Sequence, residues 1–164
     1  MVSRSNVIAR TGRTVGLALV VSASSLIATG AAKAGQCPAN AVTAKGQMPG
    51  AKAHKDVTDK VLTMIPLAGE KVGIKDHQFR LRRLVIQPGG EVAWHSHAER
   101  PAIIYIVSGT IVEYASTCAV PIMHRAGEAT SESHREHWWK NHTKRPVVLL
   151  SADIVHEKDD PHTM

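Results

Sequence analysis

From Phe79 onward the chain is a series of short apolar runs cut by turn residues. FRLRRLVIQ (79–87) stops at Pro88-Gly89-Gly90, EVAWHSH (91–97) follows, and AIIYIV (102–107) stops at Ser108-Gly109. Thr110 to Ala115 continues from that turn, Val120 to His124 is closed by Gly127, and Glu136 to Asn141 and Pro146 to Ala152 complete the set. Short β-branched runs at close, regular spacing with turn signals between them predict an all-β sandwich or barrel. Before Phe79 the pattern is weaker. Gly35 to Lys55 is small, polar and broken by Pro38, Gly46, Pro49 and Gly50, which predicts an extended arm. DVTDKVLTM (56–64) fits one apolar helical turn, and Val61 to Leu67 equally fits an edge strand ended by Pro66; so short a piece has no decisive period. The charged tail 157–164 is expected to fray.

The first 34 residues have a different character. Arg4, Arg10 and Arg13 precede an apolar run from Val15 to Ala32, and Ala32-Lys33-Ala34 offers small residues for cleavage, the pattern of a secretory signal peptide. A membrane anchor is the competing reading, but Ser22, Ser24, Ser25, Thr29 and Gly30 dilute the run. The expected organisation is therefore a signal peptide (1–34), an arm and edge strand (35–70), one barrel (71–156) and a tail (157–164), in a periplasmic or secreted protein. Composition then changes meaning. The formal charge of +6 on 164 residues falls to +2 once Arg4, Arg10, Arg13 and Lys33 leave with the signal. No long basic run remains, so neither nucleic acid nor a membrane surface is an expected partner. Cys37 and Cys118 both survive cleavage, and an oxidising compartment favours a disulfide over two buried thiols. A loop of that length would stabilise the fold by at most on the order of 4 kcal/mol in the chain-entropy picture.

All ten histidines lie in the mature part. On a strand, alternate residues share a face, so Ala93, His95, His97 and, if the strand continues, Glu99 point one way while Trp94, Ser96 and Ala98 point the other. Two imidazoles from one strand and a third from elsewhere make a three-point site for a first-row divalent ion, with coordination positions left open. His137, on the strand-like run Glu136 to Asn141, is the expected third donor.

These residues also carry a family resemblance. Gly89, His95, His97 and Gly109 stand at the spacings of the first motif of the cupin superfamily, G-x5-H-x-H-x3,4-E-x6-G. Gly127, His137 and Asn141 follow in the order of the second motif, with Ser133 and His134 in the region where its proline and inner glycine are usual. Over roughly Gln78 to Asp153 the chain thus resembles a small cupin jelly-roll barrel. The resemblance implies a divalent transition metal (iron, manganese, zinc, nickel or copper) held by three histidines and a glutamate. The chain departs from that pattern, since Pro101 and Ala102 occupy the two positions open to the glutamate. Glu99 on the ligand strand is one candidate fourth ligand. A bare three-histidine site, as in cupin-like thiol dioxygenases, is another, and Glu132 or His134 reaching in from a loop is a third.

Other residues are weighed on the same pattern. Trp139 shares a face with His137 and is expected to wall the pocket; Trp94 and Trp138 point outward, where they suit a homodimer contact common in the family. Arg80 and Arg82 share a side, and an arginine aimed inward would clamp a carboxylate, although solvated ion pairs are the ordinary fate of such residues. Tyr105 is a candidate pocket hydroxyl. The remaining histidines, His54, His77, His124, His142, His156 and His162, are expected at the surface. The functional expectation is a metal-dependent oxidoreductase of dioxygenase type acting on a small molecule, and the alternative is a non-catalytic module binding a small ligand or metal.

Overall fold

The computed structural model describes residues 35–158. The expected signal peptide and all but the first two residues of the tail lie outside the described residues. No helix among the described residues is long and apolar enough to cross a membrane. Eight strands follow one 3-10 turn at Ala39–Ala41: β1 (Lys55–Pro66), β2 (His77–Ser96), β3 (Ala102–Ser108), β4 (Thr110–Ala115), β5 (Ile122–Arg125), β6 (Ala129–Glu132), β7 (Glu136–Lys140) and β8 (Val147–His156). All pairings are antiparallel, in the order β5-β4-β7-β2-β8-β3-β6 with β1 added to β2, giving a nearly closed barrel.

Two expectations change here. DVTDKVLTM is not a helical turn: all of it lies in the 12-residue β1, an edge strand paired along β2 from Lys55↔Glu91 to Pro66↔Gln78, which ends at Pro66 as the edge-strand reading expects but begins six residues earlier. Pro88-Gly89-Gly90 does not end a strand either. β2 runs through it for 20 residues, pairing with β8 from His77 to Ile86 and with β7 from Glu91 to Ser96. The bend where β2 changes partners needs glycine. Gly89 has φ +75°, and a Cβ on Gly90 would meet the carbonyl oxygens of Asp56 and Gln87 at 2.9 Å. Asn141 holds the bend: its backbone exchanges hydrogen bonds with Gly89 and Gly90, and its buried Nδ2 lies 3.0 Å from Ile86 O and 2.8 Å from Arg145 O.

A second irregularity follows at once. Val92 pairs with Trp139 and His95 with His137, so β2 spends one residue more than β7 over that interval, a β-bulge. Both Val92 and Ala93 are consequently buried. The bulge frees backbone N–H groups from the ladder, and the preceding segment satisfies them: Ala93 N donates to His54 Nδ1 (2.9 Å) and Trp94 N to Ala51 O (2.9 Å).

The barrel interior is filled by Leu84, Ile86, Ile106, Ile111, Val147 and Leu149 among others. A smaller apolar cluster joins Ala115, Cys118 and Ile122 to Cys37 and Ala41. There Cys37 and Cys118 are disulfide-bonded, and the 35–47 segment runs beside 115–118 through hydrogen bonds from Thr43, Gly46 and Gln47. Trp138 is half-buried, stacked on Tyr114 with ring centroids 4.2 Å apart, and Gly50 lies against its indole. Trp94 is half-buried as well. Of the pair expected outside for a dimer contact, Trp138 is thus partly covered by the chain's own N-terminal segment, and neither tryptophan is fully exposed.

Candidate metal centre

β2 and β7 bring His95 and His137 face to face as a register pair, and His97, one residue beyond the end of β2, closes the group. All three are buried. Their Nε2 atoms converge: His95 lies 3.0 Å from His97 and 3.0 Å from His137. What the other ring nitrogens do decides the chemistry. His95 Nδ1 is 2.8 Å from the carbonyl of Ala93, and His97 Nδ1 is 2.6 Å from that of Arg100. A carbonyl can only accept, so both Nδ1 atoms carry the proton. His137 Nδ1 donates to Glu113 Oε1 at 2.7 Å. Every Nε2 is thereby left as a lone pair, and the indole N–H of Trp139, 3.4 Å from His137 Nε2, treats that nitrogen as an acceptor too.

Protonating His95 or His97 is not the way out of this crowding. Burial and the neighbouring His137 push His97 down to about 3, and burial first, then His137, push His95 well below its usual range. Three imidazoles whose Nε2 atoms converge are the donor set of a divalent metal ion. The spacing suits it as well, since two nitrogens about 2.1 Å from one ion and at a right angle lie about 3.0 Å apart. The residues present fit the metal that the family resemblance implies.

Behind the histidines lies a buried acidic layer that the sequence reading missed. Glu113 accepts from His137 with one oxygen and from His124 Nε2 (2.9 Å) with the other. Burial alone would raise its pKa, but hydrogen bonds from His124 and His137 outweigh that and hold it at about 2. Glu113 fixes the tautomer and orientation of His137, as carboxylates behind metal-binding histidines do. A signal was available: Glu113 alternates with Ile111 and Ala115 on the inward face of β4, where an unpaired charge would be costly. His124, expected at the surface, is fully buried because β5 pairs with β4 and turns it toward Glu113.

The candidates for a fourth ligand separate clearly. Glu99 is exposed: β2 ends at Ser96 and the chain bends at Ala98-Glu99, so the strand does not continue to carry it inward. Glu99 is not brought together with the three histidines, and Glu99→Ala is expected to leave metal stoichiometry unchanged, as read by elemental analysis. His134 is exposed, in a turn with φ +53°. Glu132 is fully buried but approaches His137 from the Nδ1 side, at 3.5 Å, away from the converging Nε2 atoms.

Burial and the charge of Glu113 push Glu132 up to about 8, with Arg135 opposing. The unfolded chain releases this proton near the ordinary value of 4.5, so stability present below that pH is lost as pH rises toward 8. Glu132→Gln is expected to gain on the order of a few kcal/mol over the wild type at pH 8 and little at pH 4.5, measured by urea unfolding. An equal gain at both values would show that Glu132 is ionised throughout.

Beside the imidazoles is a small cavity of about 20 Å³, lined by Leu84, Val92, Ile104, Leu149 and Trp139 and by the polar residues Arg82 and Ser151. Trp139 therefore does wall the pocket. Arg80 and Arg82 are not solvated: each is 1% exposed, and both pair with Asp153 inside the barrel. Tyr105 stands on the outer face of β3, 44% exposed, because the inward positions of that strand are Ala102, Ile104 and Ile106.

Against known proteins, the sequence profile of the cupin domain family matches residues 82–153, which span both histidine segments. Those 72 of the 164 residues are similar to a cupin domain. Similar solved structures include the cupin domain of an XRE family transcriptional regulator from Enterobacter cloacae (15% identity, 60% of this chain and 96% of that chain, TM-score 0.46). A predicted oxalate decarboxylase from Thermotoga maritima aligns at 18% identity over 70% of this chain and 97% of its own, with a TM-score of 0.49. A cupin 2 conserved barrel protein from Salinispora arenicola aligns at 14% identity over 59% and 74%, with a TM-score of 0.46. A search of curated proteins finds no match.

Proposed function

We propose that this cupin is an exported protein that binds one divalent transition metal through His95, His97 and His137, and that it is a metal-dependent small-molecule oxidoreductase of dioxygenase type. The observation that carries the reading is the convergence of three Nε2 lone pairs, each fixed by an acceptor on its own Nδ1. The metal, whether iron, manganese, zinc, nickel or copper, would supply open coordination positions and, if redox-active, electrons. The chain's own residues do the rest. Ala93 O, Arg100 O and Glu113 hold the ring orientations, and Leu84, Ile104, Leu149 and Trp139 keep bulk water from the cavity. The disulfide between Cys37 and Cys118 supports an oxidising compartment, periplasmic or extracellular.

The test is oxygen consumption. Protein loaded anaerobically with ferrous iron is expected to take up oxygen when offered a substrate, and His95→Ala to abolish both metal content and turnover. Ligand binding that is equally tight after the metal is stripped would instead support the non-catalytic reading. That alternative, a ligand- or metal-binding module, draws support from the cavity, whose 20 Å³ admits little more than one water-sized group beside the histidines. We also propose a homodimer. With Trp94 and Trp138 half-buried, the face that supports it is the outer side of β2 and β3, where Phe79, Ile103, Tyr105 and Val107 are each more than 40% exposed.

A further inference from the structure

Gly35 directly follows the expected signal peptide, and it is buried beside His124 of β5 and Glu128 of the next turn. His124 is fully buried, and its two ring nitrogens are unequal. Nε2 donates to Glu113 at 2.9 Å, whereas Nδ1 has no hydrogen-bond partner among the described residues. With the ring proton on Nε2, Nδ1 of the neutral imidazole is an acceptor, and a buried acceptor without a donor is costly. The space next to it is specific. A Cβ on Gly35 would stand 3.0 Å from His124 Nδ1 and 3.5 Å from Glu128 Oε2. For a carbon the first distance is tight; for a nitrogen that carries protons it is a hydrogen bond, and the second is within ion-pair range. Glu128 is held in place by the backbone N–H of Arg125, which donates to the same oxygen at 2.8 Å. Two residues beyond Gly35, the disulfide from Cys37 to Cys118 pins this part of the arm to the turn after β4.

We infer that the α-ammonium of mature Gly35 fills this place, donating to His124 Nδ1 and pairing with Glu128. The inference rests on the exported reading, since it needs the chain to be cut after Ala34. Hydrolysis of the Ala34–Gly35 bond by a signal peptidase consumes one water and leaves a carboxylate on Ala34 and an ammonium on Gly35. While the bond is intact the nitrogen is a planar amide, tied to the residue before it. Once it is cut, a turn of about 120° around the Gly35 Cα–C bond carries the nitrogen to where the Cβ would stand. The new chain end is then joined to His137 by a line of side chains: Gly35 to His124, His124 to Glu113, and Glu113 to His137 Nδ1. Cleavage thereby fixes the His124 proton on Nε2, and each oxygen of Glu113 keeps its donor.

Mass spectrometry of the N-terminal peptide of the exported protein, and nitrogen NMR of its histidines, test the assignment. The exported chain is expected to begin at Gly35. In it His124 is expected to carry a proton on Nε2 and a hydrogen-bonded, unprotonated Nδ1, with zinc and without. The Gly35 amine is expected to react with acetic anhydride about tenfold more slowly in the folded chain than in urea, because it is held against buried acceptors. A chain that keeps Ala34 is expected to lose the hydrogen-bond shift at His124 Nδ1, and Glu128→Gln to keep the fold and speed acetylation several-fold. Cleavage at another bond would overturn the inference. So would a freely reacting amine, or a His124 protonated on both nitrogens, in a chain that does begin at Gly35; those two results leave the exported reading standing, whereas a protein that is not exported overturns both.

Discussion

Asp153→Ala is expected to destabilise the protein by about 3 to 5 kcal/mol, the usual cost of removing one partner from a buried ion pair. Asp153 is fully buried on β8 and is shared by three guanidiniums: Arg80 through Nε (3.0 Å) and Nη2 (2.8 Å), Arg82 at 3.3 Å and Arg100 at 3.8 Å. The pairing is geometric as well as electrostatic, because Arg80 and Asp153 are register partners across β2 and β8. Truncation takes the shared carboxylate from all three while the barrel walls still keep water away. Urea unfolding of the variant against the wild type reads the effect, and Asp153→Asn, which keeps the shape but not the charge, is expected to fall between them. A loss under about 1 kcal/mol would mean that the guanidiniums reach solvent.

His95→Ala is expected to have the largest effect on metal binding and a disproportionately small one on the metal-free fold. His95 Nε2 lies 3.0 Å from the Nε2 of each of the other two, so its loss leaves two donors where three converged. Affinity is expected to drop by more than the 10–100-fold typical of losing a supporting outer residue. In the metal-free protein the same change removes one of three lone pairs that face each other, which offsets part of the packing lost. Thermal unfolding with and without zinc separates the two: the wild type should be raised by zinc and the variant should not. A zinc-dependent rise of equal size in the variant would place the metal elsewhere.

The alternation of β-branched residues and the turn glycines made the barrel legible in the sequence, and the H-x-H pair made two of the three converging histidines legible, because each is a local pattern. What was not legible depends on partners distant in the chain. Glu113 and His124 are eleven residues apart and meet His137, on a third strand, only once β4 pairs with both β5 and β7. Arg80 and Arg82 read as surface charges until β8 supplies Asp153. Glu99 fails for a local reason, since period-two counting assumes a strand that in fact ends at Ser96. Pro88-Gly89-Gly90 reads as a terminator, and Asn141, known from the sequence only as a motif position, is what lets β2 pass through it.

The bulge at Val92–Trp94 has a consequence for parity. Arg82 and His95 are thirteen residues apart, an odd number, and on an uninterrupted strand they would face opposite sides. Even-numbered positions point inward along β2 through Val92, odd-numbered ones from Ala93 to His97, and only the extra residue lets guanidinium and imidazoles look into one chamber. Deleting one residue there would give a more regular sheet with its histidines aimed at solvent. The N-terminal segment, through Ala51 and His54, keeps that irregularity in place, so the stretch that looks least structured in the sequence sets which way the three histidines face.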